Sequence, residues 1–187
     1  MTDDLLIRMV KAGKAEAYRA LVERYQDMVY NLCYKILLDE DEAKDAAQET
    51  FIKVYQVLGS FREDSKFSTW LYRIASNMAL GKARRKKRAE PLEDARYVAS
   101  DEQTGDSQPD NMSQEERSKF LHLALAKLDE NDRLLLSLYY LEEVSMDETA
   151  EISGLDKNTV KVRMHRARKK LYNVLSSILN QEAKEAL

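Results

Sequence analysis

SMDETAEISGLDKNTVKVRMHRARKKLYNVLSSI, residues 145–178, is the stretch from which the rest of the chain can be read. Ser145 and Glu148 have the S-x-x-E spacing of a capping box, in which each side chain satisfies a backbone donor left free at a helix start. A helix of about two turns comes next and stops at Gly154, a residue type that takes left-handed backbone without steric cost. Asp156 suits the N-cap of a second helix. There Val160, Met164, Ala167, Leu171, Val174 and Ile178 recur at alternating spacings of four and three, which makes one apolar stripe. The opposite face carries Asn158, Val162, His165, Arg166 and Lys169, with Lys161, Arg163, Arg168 and Lys170 on the flanks. From Lys157 to Tyr172 there are seven cations and no carboxylate. A solvated basic face would explain the charge alone. The ordered succession of cap, glycine turn and two-sided helix fits a helix-turn-helix whose second helix packs inward on its stripe and offers its cations to DNA.

The other 153 residues fit an all-α protein, because glycine (5) and proline (2) are scarce in a chain of 187 and both prolines fall in one segment. No apolar run approaches a membrane span, and MTDDLL lacks the basic start of a signal peptide, so a soluble, cytoplasmic protein is expected. Cys33 is the single cysteine and lies on an apolar helical face, where a core thiol is the ordinary reading. The net charge of -3 conceals a strong division. Residues 1–88 hold 17 cations and 13 anions; residues 89–116 hold nine acids and only Arg96; residues 117–187 hold 12 cations and 11 anions.

Upstream of the helix-turn-helix, Phe120, Leu121, Ala124, Leu125 and Leu128 make one helical face, followed by a polar Asp129–Asp132 turn. Leu134, Leu135, Leu138, Tyr139 and Leu141 make the next, and together these helices are expected to form the floor under the DNA-reading pair. The tail after Ile178 reads as a fraying end. Residues 89–116, with both prolines and few large apolar residues, read as an acidic linker spanning roughly 30 Å as a coil, close to one turn of DNA at about 34 Å. Its charge is expected to mask the basic faces when the protein is free.

Residues 65–88 carry eight cations and no acid, with Phe61, Phe67, Trp70 and Tyr72 at the front of the track. Cations beside aromatic rings suit single-stranded nucleic acid, because the cations follow phosphates while rings stack on unpaired bases. Individual residues there also have core roles: Leu71, Ile74, Ala75 and Met78 face inward, and Phe67 or Trp70 can join them. Residues 61–66 read as a loop, and Ser68 or Thr69 as the cap of the next helix. Before it, acids 39–42 start a helix with a buried stripe of Ala43, Ala47, Phe51, Val54 and Leu58, ending at Gly59. Its outer face holds Asp45, Gln48, Glu49, Ile52 and Gln56, an apolar side chain within a polar rim, which is either an isolated surface hydrophobe or the centre of a docking surface. Residues 3–38 read as helix with a break near Gly13.

Two helical modules joined by an acidic linker resemble a bacterial RNA polymerase sigma factor of the short extracytoplasmic-function type. DAAQETFIKVYQVLGSF, FSTWLYRIASNMA and NTVKVRMHRARKKL stand in the order and spacing of that family's motifs, and the resemblance covers nearly the whole chain. It implies a first module over 1–88, a linker over 89–116 and a second module over 117–187. It implies that Asp45, Gln48, Glu49 and Ile52 dock on the β′ clamp helices of the polymerase core, with the β subunit as a further contact. Phe61, Arg62, Lys66, Phe67, Trp70, Tyr72, Arg73, Asn77, Arg84 and Arg85 would open and hold the promoter −10 strand, the 61–67 loop receiving a base turned out of the stack. Asn158, Thr159, Lys161, Val162, Arg163, Arg166, Arg168 and Lys169 would read −35 DNA. An anti-sigma factor is an implied partner. The family implies neither cofactor nor metal, and no membrane insertion. The chain departs from the family pattern at Gly81, Asp129, Asn158 and Val162. At Val162 an apolar contact with a thymine methyl is expected instead.

A stand-alone helix-turn-helix regulator is the second reading, but it leaves the acid-free 65–88 track without a purpose. An enzyme is the third. His122 and His165 are the only histidines and lack metal-ligand spacing, and there is neither a glycine-rich phosphate loop nor a nucleophile signature.

Overall fold

Turns with identifiable causes divide the described residues into eight α-helices. The computed structural model describes residues 1–89 and 113–185, and among these no strand occurs. Helix α1 (Asp3–Lys11) and α2 (Ala15–Leu37) are separated at Gly13, whose φ of +85° is open to glycine at no steric cost. Asp3 ties them together by accepting from Arg24 and Tyr25 of α2. Asp39 caps α3 (Glu40–Val57), accepting from the Glu42 amide at 3.1 Å. A single 3-10 turn, Leu58–Ser60, leads to the loop before α4 (Phe67–Ala89).

Two expectations about this half need correction. Helix α4 begins at Phe67, so Ser68 and Thr69 lie inside it rather than capping it; Thr69 is buried and its hydroxyl donates to Glu148, 79 residues away. The buried face of α3 runs through Ala43, Ala46, Thr50 and Val54, with Ala47 and Phe51 at its edge. The polar Thr50 lies on that face because its hydroxyl bonds back to the Ala46 carbonyl at 2.7 Å.

The second half starts earlier than composition suggested. Helix α5 (Gln114–Ala126) is opened by a Ser113/Glu116 capping box, the motif also found at Ser145, here hidden in acidic sequence. The remainder of the expected linker, residues 90–112, lies outside the described residues. Asp129 caps α6 (Glu130–Leu136). Arg133 reaches back to the Leu128 carbonyl at 3.2 Å, in the turn just past α5, which also puts a cation near the negative end of that helix's dipole.

After α6 the chain makes one π turn, Ser137–Leu141, with Glu142 N bonded to Ser137 O at 3.0 Å. The extra residue in this turn rotates the side chains beyond it. Tyr139 and Leu141, expected on the buried face, are therefore exposed, while Leu138 is fully buried. Helix α7 (Met146–Ser153) ends at Gly154 with φ +69°, and α8 (Lys157–Glu185) continues past Ile178, so the expected fraying tail is helical as far as Glu185.

Packing does not follow the chain's two halves cleanly. Helices α2, α3 and α4 enclose a core that includes Leu21, Val29, Leu32, Ile36, Val54, Leu71 and Ala75. Leu134 and Leu138 from the α6 region and Ile152 of α7 are buried in this same cluster. Helix α8 instead rests on two small clusters, Leu135 with Val160 and Met164, and Leu128 and Leu136 with Ala167. The floor expected under the helix-turn-helix is therefore two-sided: its other side is packed against the N-terminal module.

Candidate nucleic-acid interface

Helix α8 is held by its stripe and leaves its cations outside. Val160, Met164, Ala167 and Val174 are buried as the spacing predicts. Asp156 accepts from the Asn158 and Thr159 amides, both at 3.0 Å, and from the Thr159 hydroxyl. Those bonds, the hydroxyl's first, hold its carboxyl below the usual range. Thr159 is thereby half-buried and engaged in the cap. Asn158, Lys161, Val162, Arg166, Arg168 and Lys169 are exposed, Val162 at 50%. Arg168 reaches the Tyr140 hydroxyl at 3.5 Å. Arg163 turns toward its own module, 3.2 Å from Asp132 and 3.6 Å from Asp129. Asp129 thus caps α6 and also holds a cation that sequence alone placed on DNA.

Helix α4 presents three faces. Leu71, Ala75 and Ala79 point into the core. Lys66, Trp70, Arg73, Asn77 and Arg84 share an arc of about 60°, and all of these but the half-buried Trp70 are exposed. Thr69, Tyr72, Ser76, Leu80, Ala83 and Lys87 fill the neighbouring arc, whose centre is about 80° away. That neighbouring face is covered. Tyr72 is buried and donates to Glu142 at 2.7 Å; burial, then the bonded carboxylate, pushes its phenol far above the usual range. Lys87 pairs with Glu130 at 2.9 Å. Lys66, at the edge, pairs with Glu148 at 2.9 Å.

The aromatic residues at the front of α4 make contact with one another. Phe61 and Phe67 are each 5% exposed, with ring centroids 5.7 Å apart. Trp70 is half-buried over both, at 5.1 Å from Phe61 and 5.9 Å from Phe67, and Tyr25 closes the cluster at 5.4 Å from Phe67. Lys11 fastens the loop by donating to the Phe61 carbonyl at 2.9 Å. Of this group Phe61 and Phe67 are buried, whereas Trp70 and Tyr25 stay partly open. Arg62 in the preceding loop and Arg85 toward the far end of the helix are exposed.

Asp45, Gln48, Glu49 and Ile52 share the outer face of α3, Ile52 at 54% exposure with Tyr55 at 57% beside it. Lys82 of α4, which the sequence placed in the basic track, lies against this face. Its ammonium is 3.2 Å from Glu49, 3.5 Å from Glu42 and 3.7 Å from Asp45. Burial opposes its charge, yet those carboxylates, Glu49 foremost, raise it above the usual lysine value. It was legible only as an interruption, the one cation of the track set among the small and apolar residues 78–83. Cys33 is buried, and desolvation pushes its thiol up to about 12, so it is a core group. Among the described residues no cluster of metal-ligating side chains occurs, and no helix is long and apolar enough to cross a membrane.

Residues 21–89, which carry the α3 and α4 faces, match the family described as sigma-70 region 2, and residues 121–171, which carry the helix-turn-helix, match sigma-70 region 4. The chain belongs to the extracytoplasmic-function sigma factors of RNA polymerase. It is 37% identical over 180 residues to the ECF RNA polymerase sigma factor SigW of Bacillus subtilis (strain 168), covering 92% of this chain and 96% of that one. Its fold is shared with CnrH, solved in complex with the cytosolic domain of CnrY, at a TM-score of 0.65 and 24% identity, covering 94% and 97% of the two chains. RpoE of Bartonella quintana, solved with the anti-sigma factor NepR, superposes with a TM-score of 0.64 at 21% identity, over 85% of this chain and 96% of that one. The sigma factor is a transcription initiation factor and not an enzyme, and the reading as a stand-alone regulator is not favoured.

Proposed function

We propose that this sigma factor contacts one promoter at two places and the polymerase at a third. The observation that carries the reading is the division of α8: its apolar stripe is buried while Lys161, Val162, Arg166 and Lys169 stand exposed on the opposite side. That geometry suits the −35 major groove, with Asn158, Thr159 and Arg168 at the margins and Arg163 acting through Asp132 as a brace. Arg73, Asn77, Arg84 and Trp70, with Arg62, Lys66 and Arg85 nearby, take the −10 strand. Phe61 and Phe67 support Trp70 from below, and Tyr72 joins once uncovered. Asp45, Gln48, Glu49 and Ile52 dock on the β′ clamp helices of the core, with β as a second contact. Residues 1–88 and 117–187 act as the two DNA-contacting modules and the acidic 89–116 segment sets their reach. The protein works in the cytoplasm, and an anti-sigma factor is a partner, as NepR is for RpoE, which shares the fold.

In vitro transcription with core polymerase on a genomic template library tests this. Specific starts are expected only when the sigma factor is added. Identical starts without it would overturn the reading. Tight, sequence-specific duplex binding by the free protein, unchanged by core, would favour a regulator.

A further inference from the structure

Helix α1 holds the loop before α4 at both of its ends. At the near end Lys11 donates to the Phe61 carbonyl at 2.9 Å, with its ammonium 6.0 Å from the centre of the Phe61 ring. At the far end the tie runs through α2. One oxygen of Asp3 accepts from the Tyr25 hydroxyl, and the Tyr25 ring meets Phe67 edge-on with centroids 5.4 Å apart. The other oxygen of Asp3 is held by Arg24. Burial, then the bonded Asp3 carboxylate, pushes the Tyr25 phenol far above its usual value, so it remains a donor near neutral pH. Helix α1 is itself fixed, because Leu6 and Ile7 are buried in the core, and it touches the Leu58–Ser60 turn that leads into the loop.

The loop between these ties needs holding. Arg62, Glu63, Asp64 and Lys66 are exposed. Glu63 takes left-handed backbone, with φ +62°, which a residue with a Cβ adopts at a cost that its surroundings must cover. Phe61 and Phe67, the two residues held from α1, are also the two rings against which Trp70 rests. Both ties are made by residues of the N-terminal module alone, whereas the seam with the C-terminal module uses Leu134, Leu138 and Ile152 of the latter.

We propose that α1 is a positioning element for base choice at −10: Lys11 and the Asp3–Tyr25 pair fix the two ends of the 61–67 loop, and so set the opening that a base turned out of the stack must fit beside Trp70. The proposal rests on the −10 reading of α4 given above. A base out of the stack is chosen by fit and by bonds to its edge, and both demand walls that hold still. A loop anchored at both ends to a buried helix meets that demand; freed at either end, it admits more than one base. Lys11 and Asp3 act through Phe61 and Phe67 and do not touch the strand. Helix α1 lies ahead of residues 21–89, which match region 2, so this anchoring adds to what that match covers.

The test uses the full chain with core polymerase on promoter templates whose −10 segment is randomised, the transcripts being sequenced to give base preference at each position. Lys11→Met keeps the stem and removes the donor. Tyr25→Phe keeps the ring on Phe67 and removes the bond to Asp3. Each is expected to flatten preference within the −10 segment about fivefold, with −35 preference and affinity for core unchanged. Lys11→Arg, which still donates to a carbonyl, is expected to restore the preference that Lys11→Met loses. Preference is a ratio among templates served by the same folded, polymerase-bound protein, so a merely structural role lowers output from all templates alike and leaves the ratio in place. Preference at −10 as sharp as that of the unaltered chain in both variants, or not recovered in Lys11→Arg, would overturn the proposal. If the −10 reading itself is wrong, Trp70→Ala also leaves −10 preference unchanged. If only the proposal is wrong, Trp70→Ala still alters it.

Discussion

The two helices proposed to meet DNA, α8 and α4, are both basic and amphipathic, yet they have been finished differently. Helix α8 shows its cations from Lys157 to Lys170, all but Arg163, to solvent and rests on two clusters of three buried residues each. Helix α4 is sunk in the largest core among the described residues, and the arc of Arg73, Asn77 and Arg84 adjoins one that meets the other module. Duplex DNA presents its grooves without being opened, so a surface that reads it can stand ready. On α4, by contrast, Lys66, Lys87 and Tyr72 meet Glu148, Glu130 and Glu142 of the other module.

The contrast in anchoring predicts the largest effect. Leu135→Ala removes a 1%-exposed side chain from the cluster holding Val160 and Met164 and is expected to destabilise the C-terminal module by about 2–5 kcal/mol, with loss of −35 binding. Chemical denaturation followed by tryptophan and by helicity would then separate into two transitions, because Trp70 lies in the other core. A single cooperative transition at every denaturant concentration would show that the seam couples the modules more strongly than the clusters suggest. Next, Arg166→Ala is expected to weaken binding to −35 duplex by about 1–3 kcal/mol. Arg163→Ala, whose guanidinium faces Asp132, is expected to act mainly on stability instead. Titrations at several salt concentrations distinguish the two.

Gly154→Ala tests the turn that aims α8. A Cβ there meets nothing within 4 Å, so the cost is that of a left-handed alanine, about 1–2 kcal/mol. Thermal melting would report it, and a larger loss would mean that α8 is re-aimed. Ser145→Ala is expected to cost about 1 kcal/mol near neutral pH. Glu148 is held down to about 2, by the Ser145 hydroxyl first and Lys66 next. A carboxyl held below its unfolded value stabilises fully above the ordinary 4.5, and loses that contribution as pH falls through about 2. Stability measured against pH is therefore expected to fall less steeply below about 4.5 in Ser145→Ala. The smallest effect is Val162→Ser: a change in promoter preference at one thymine worth under about 1 kcal/mol, read by competition between templates.

Several features were legible because their causes lie within a few residues. The α8 stripe, the Ser145/Glu148 box, the Gly13 and Gly154 turns and the acidic start of α3 all depend on neighbours in sequence. The same motif at Ser113/Glu116 was missed because three acids and amides beside it matched the linker's composition. Ser68 and Thr69 looked like caps because a hydroxyl before an apolar run usually is one, whereas Phe67 was drawn into the helix by its place among Tyr25, Phe61 and Trp70. The π turn after α6 carries no composition signal, so Tyr139 and Leu141 were placed one face too far inward.

By itself, then, the order of residues determined the helices, the apolar stripes and the cationic surfaces, since each follows from side-chain period, capping chemistry and local charge. Only tertiary structure decided which cations remain open. Lys66, Tyr72, Lys82 and Arg163 found partners 31 to 82 residues away or one helix over, as Glu148, Glu142, Glu49 and Asp132 respectively. An ion pair forms wherever folding brings opposite charges within reach, and nothing in the spacing of either partner along the chain records that meeting.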